Sequence, residues 1–197
     1  MTYKESITKE ELQELPLRQF DGEIIVVTDK SKAKKAVDYL SKFPFIGFDT
    51  ETKPAFKKGQ INQVALLQLS TNDKAFLFRL NYFELPNSLL KLLSNASIIK
   101  AGAAIRDDIK ALQANKRFKP AGFFELQDEA QNLGLKNFSL KKMAGIMLGI
   151  KISKAQQLSN WEASELTEAQ LRYAATDAWI SYCIYESFLK LREQINA

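Results

Sequence analysis

The sequence predicts one α/β domain with a mixed central sheet, an antiparallel meander leading into β-α-β units, and helices on both faces. Three observations carry this expectation. Three β-type apolar runs follow one another between Pro44 and Leu80, which reads as a meander. Strand-like and helix-like segments then alternate, which argues for helices laid on the faces of a sheet. The chain has 197 residues, 46% of them hydrophobic, enough for one sizeable core and cramped for two.

Taken in order, Thr8 followed by Glu11 is a capping box that opens a short helix. Gly22–Val27 reads as a strand, and Ser31–Leu40 spaces Ala33, Val37 and Leu40 as a helix does. Pro44–Asp49 is an apolar run ending abruptly in acid, as a buried strand does at a sheet edge. Thr52–Gln63 is polar and basic, contains Pro and Gly, and reads as a loop. Val64–Ser70 and Lys74–Leu80 flank a Ser-Thr-Asn-Asp turn and form a hairpin. Helices are expected at Asn87–Leu93, Arg106–Leu112, Gln127–Leu133 and Leu140–Met147, and strands at Ser97–Gly102 and Gly122–Leu126. A last long helix starts at Thr167, with Gln170 as its capping-box partner, and runs to about Leu191. Residues 1–21 are read as a helical extension ahead of a domain spanning 22–192.

The composition excludes more than it proves. With no histidine, Ser–His and Cys–His nucleophile pairs and histidine-ligated metals are ruled out. The single cysteine, Cys183, makes neither an internal disulfide nor a thiolate cluster. Chemistry must then come from carboxylates, Lys, Tyr, Ser or Thr, or from a hard cation held by oxygen. The net charge of +5 is compatible with a polyanionic partner without demonstrating one. No apolar run approaches the roughly 20 residues that span a bilayer, and the charged N-terminus lacks a signal-peptide core, so a cytoplasmic, membrane-free protein is expected.

Three segments could carry chemistry. Asp49 and Glu51, two apart on a strand, point to one face. Asp107 and Asp108 open a helix after an Ala-Gly-Ala-Ala stretch, and spacing alone does not choose between them. Tyr173 and Asp177, four apart, share a helix face among small alanines. Each segment taken singly is better explained blandly, as a solvated strand end, a helix-dipole acid or a core-edge tyrosine. Together they make an oxygen-only acid set of the kind two hard divalent cations require, and such a set is self-repelling without them.

The motifs are also specific. Phe48–Pro54, reading FDTETKP, resembles the first motif of the DEDD exonuclease superfamily. KAGAAIRDDIKAL resembles the second motif of the Werner-syndrome exonuclease and ribonuclease D group, where the count from Lys100 and Gly102 selects Asp108. Ser159–Trp179, with Ser-Asn-Trp and Tyr-Ala-Ala-Thr-Asp-Ala, resembles the third motif in its tyrosine subtype. The likeness covers about residues 22–190 and implies a ribonuclease H-like fold and 3′→5′ hydrolysis of nucleic acid to nucleoside 5′-monophosphates. It implies two Mg²⁺ or Mn²⁺ ions on Asp49, Glu51, Asp108 and Asp177, with Asp49 shared between them, and Tyr173 orienting the attacking water. Asp107 stands where relatives commonly have Gly. Ribonuclease D proteins usually carry a further helical domain, so the grip on substrate is expected within this core or in a partner. Lys57 and Lys154 are the first candidates for phosphate contacts, and Phe56 for base stacking. Lys53, Lys58 and Lys151 follow. DNA is placed ahead of RNA as the polymer, with an exoribonuclease as the alternative and a catalytically silent nucleic-acid-binding module as the alternative from another class.

Overall fold

A computed structural model describes residues 3–55, 59 and 62–196. Its centre is a six-stranded sheet of β1 (Glu23–Val27), β2 (Phe45–Thr52), β3 (Val64–Ser70), β4 (Lys74–Arg79), β5 (Ile99–Gly102) and β6 (Phe123–Glu125), in the order β1-β4-β3-β2-β5-β6. The expected meander is β2-β3-β4, antiparallel throughout. On one side β5 and β6 add in parallel to β2, and on the other β1 adds in parallel to β4. This is the mixed α/β sheet the sequence predicts.

The helices are α1 (Lys9–Glu14), α2 (Lys30–Leu40), α3 (Asn87–Leu93), α4 (Ile105–Asn115), α5 (Leu126–Asn132), α6 (Leu140–Met143) and α7 (Glu168–Asn196). Strand alternation sends Phe48, Leu67, Leu69, Phe76 and Phe78 to one face, where they pack with Val37, Leu40, Leu92 and Leu112 from α2, α3 and α4. The opposite face carries Leu66, Ala75 and Leu77 under Ala174 and Ala175 of α7, beside the fully buried Trp161. Ile180, Ile184 and Phe188, further along α7, meet Leu126 and Met143 of α5 and α6. Among the described residues no helix is long and apolar enough to cross a membrane.

Both predicted capping boxes form: Thr8 with Glu11, and Thr167 with Gln170. The helix expected over Leu140–Met147 stays α-helical only to Met143, then widens into a π-helical turn, Ala144–Leu148. Gly145 lies in that turn, and a Cβ there would stand 2.6 Å from Leu12 of α1, so the missing side chain admits the N-terminal helix. Phe20 is fully buried and donates its N–H to Thr176 Oγ1 at 2.9 Å, tying the N-terminal segment to α7.

Candidate active site

Strand β2 and helix α7 meet at backbone contact. A Cβ on Gly47 would fall 1.9 Å from the carbonyl oxygen of Ala178, so only glycine permits the approach. Two residues on, Asp49 and Glu51 point to the α7 face, and Asp177 descends from the helix beside Ala178. One carboxylate oxygen from each of Asp49, Glu51 and Asp177 lies within 4.8 Å of the others. Asp49 and Glu51 are half-buried and Asp177 is buried. Such a set has oxygen donors only and too little solvent to neutralise it, which fits a hard divalent cation.

Asp108 is not in that close set. It comes from the first turn of α4, and its Oδ1 accepts a hydrogen bond from Thr50 Oγ1 at 2.5 Å. The Thr50 side chain alternates away from Asp49 and Glu51, so Asp108 approaches around the end of β2. The two neighbouring acids of α4 are now distinguishable. Asp107 has a side chain 92% exposed and pairs with Lys110, whereas Asp108 is half-buried against β2.

Burial pushes every acid of the group upward, and neighbouring charges add to the rise of Asp49, Glu51 and Asp108. Burial first, then the charges of Asp177, Glu51 and Asp108, hold the Asp49 carboxyl well above its ordinary range. Burial, then Asp177 and Asp108, lift Glu51 to about 9. Burial raises Asp177 to about 7, against the opposing pull of the Tyr173 hydroxyl and Lys154. Asp108 is raised by burial, with the Thr50 hydrogen bond opposing and Asp107 and Glu125 adding to the rise. Tyr173 hydrogen-bonds to Asp177, and burial followed by the Asp177 charge raises its phenol, which therefore stays protonated. Its ring lies 6.0 Å from that of Trp161, centroid to centroid.

Asp49, Glu51, Tyr173 and Asp177 open on a groove of about 320 Å³, whose lining does not include Asp108. Lys154, a candidate phosphate contact from the sequence, is among its lining residues. So are Lys141 and Gln127, which the sequence reading passed over because they sit inside helical segments with no motif to mark them. Lys53 is occupied, pairing with Glu162 at 3.2 Å, and Lys151 Nζ donates to the Gln13 carbonyl. Phe56, Lys57 and Lys58 lie outside the described residues. The motif lysine Lys100 is fully buried and away from the chemistry. It donates to the carbonyls of Asn95 and Ile98 at 2.7 Å each, and burial lowers it to about 8.

Residues 24–193 match a family described as 3′-5′ exonuclease. The chain belongs to the 3′-5′ exonuclease family. Over 183 residues, 87% of the chain, it is 36% identical to the bifunctional 3′-5′ exonuclease/ATP-dependent helicase WRN of Mus musculus. It is 29% identical over 170 residues to DNA polymerase I of Aquifex aeolicus. These matches take up 13% and 27% of the relatives' lengths, so the chain corresponds to a small part of each. Among solved structures, the Nibbler EXO domain of Aedes aegypti superposes with a TM-score of 0.81 at 25% identity, covering 90% of this chain and 94% of that one. Escherichia coli RNase D, at 23% identity and a TM-score of 0.78, shares the fold. The chain is therefore a 3′-5′ exonuclease domain with the α/β fold of these structures.

Proposed function

We propose that this exonuclease domain is metal-dependent, with Asp49, Glu51 and Asp177 holding one divalent cation, Mg²⁺ or Mn²⁺, and Asp49 and Asp108 serving a second. The observation that carries the reading is the convergence of three carboxylates within 4.8 Å, in a chain without histidine to complement them. Bound divalent cations supply Lewis acidity toward the phosphodiester oxygens on which charge develops.

The protein's own groups do the rest. Tyr173, kept as a neutral phenol, donates to Asp177 and presents its oxygen lone pairs to the water that attacks the terminal phosphodiester. Thr50 holds Asp108. Lys154 and Lys141 line the groove where a polyanionic backbone enters. Cleavage with attack at phosphorus and departure of the 3′-oxygen releases a nucleoside 5′-monophosphate. DNA stands ahead of RNA on the likeness to a DNA polymerase.

The test is to incubate the purified chain with 5′-labelled single-stranded DNA, recessed duplex DNA and RNA, each with Mg²⁺, Mn²⁺ or EDTA. A ladder of shortened products that EDTA abolishes supports the proposal, and its strength on each substrate ranks the polymers. Equal shortening in EDTA would sink the metal dependence. No cleavage under any condition would favour a silent binding module.

A further inference from the structure

Glu125 closes β6 and is engaged entirely with backbone. Its Oε1 accepts from the N–H of Ala104 at 2.8 Å and of Gln127 at 3.1 Å, and its Oε2 accepts from Ile105 at 2.8 Å. Two of these donors begin α4, a helix that has no side-chain cap of its own. Ala104 has φ 61° and ψ 34°, a left-handed conformation unfavourable for a residue with a Cβ, so something must hold it. Asp108 sits three residues after Ile105, within the turn that these bonds fix. The third donor begins α5, and Ala103, Ala104 and Gln127 all face the groove.

We propose that Glu125 is a positioning residue for catalysis: it clamps the β5–α4 turn across the sheet so that Asp108 stands where it can serve a cation. The inference rests on the reading of Asp108 as a cation ligand. Two anchors then act on α4. Thr50 orients the Asp108 carboxylate from β2, and Glu125 sets the start and phase of the helix from β6. A carboxylate suits the role because three donors converge on two oxygens. A glutamine amide would turn an NH₂ toward N–H groups, and an aspartate would fall one methylene short. Helix N-terminal charge complementarity strengthens the hold.

The experiment uses the full chain as E125Q, E125A and D108N. Each is titrated with Mn²⁺ alone by calorimetry, followed by amide hydrogen exchange at residues 104–108. D108N identifies which part of the isotherm depends on Asp108; an unchanged D108N isotherm would remove Asp108 from the ligand set and overturn the proposal at that premise. Given that part, E125Q and E125A should weaken it by about 10–100-fold, the usual cost of losing a group that orients a ligand. Exchange at Ala104 and Ile105 should accelerate together with it. Faster exchange with a wild-type isotherm would make Glu125 an ordinary helix cap and overturn the proposal. Should E125A fail to fold, E125Q is read by the same criteria. Unfolding of both would also overturn it, because the carboxylate would then hold the fold as a whole.

Discussion

Thr50 donates its hydroxyl to Asp108 from the one position of β2 that lies between Asp49 and Glu51 and faces the other way. One tripeptide therefore supplies two acids to the site and orients a third from another element. Thr50→Val keeps the β-branched shape and removes only the donor. It should lower kcat by about 10–100-fold at saturating Mn²⁺ while leaving circular dichroism and KM near wild type. A wild-type kcat would show that Asp108 needs no such support.

The raised acids make stability depend on pH in a definite direction. Glu51 moves from 4.5 to about 9 and Asp177 from 3.8 to about 7. Between those limits the folded chain retains protons that the unfolded chain has released, so stability falls as pH rises. In EDTA the Tm should drop steadily from pH 5 to pH 9, and Mg²⁺ should restore more of it at pH 8 than at pH 5. Asp49→Asn removes one of the repelling charges. It should flatten that slope, raise the EDTA Tm at pH 8, and reduce hydrolysis to background. A pH-independent Tm in EDTA would contradict the crowding.

In the proposed mechanism Tyr173, kept a phenol by burial and the Asp177 charge, orients the water and does not abstract its proton. Tyr173→Phe should cut kcat by about 100-fold with little change in KM, a loss in the range of a misplaced proton-transfer partner. The pH–rate profile of the variant should keep the wild-type inflections. Disappearance of an alkaline inflection in Tyr173→Phe would make the tyrosine a base after all.

How much of this was legible varies with the physics of each signal. The period of two brought Asp49 and Glu51 together and the period of four set Tyr173 over Asp177, because both are local rules of backbone geometry. Choosing Asp108 over Asp107 needed the family count, since helix position treats the two alike; what separates them is a contact with Thr50 fifty-eight residues away in sequence. The parallel seating of β1 beside β4, the three bonds to Glu125 and the groove position of Lys141 are likewise long-range, and no run of residues announces them. The change from α to π winding after Met143 coincides with the close approach of α1 at Gly145, a tertiary contact that a helical pattern does not announce.

The groove lysines carry the last prediction. Lys154→Ala and Lys141→Ala together should weaken binding of single-stranded DNA and reduce the steepness of its salt dependence by about two phosphate contacts' worth. A double variant with the wild-type salt slope would place the nucleic acid elsewhere.

The seam at Gly47 makes the acid cluster depend on a residue that contributes no ligand. Because β2 and α7 touch through main-chain atoms there, any side chain at position 47 would push the helix that carries Asp177 away from the strand that carries Asp49 and Glu51. The absence of one methyl group is thus a condition for three carboxylates to meet.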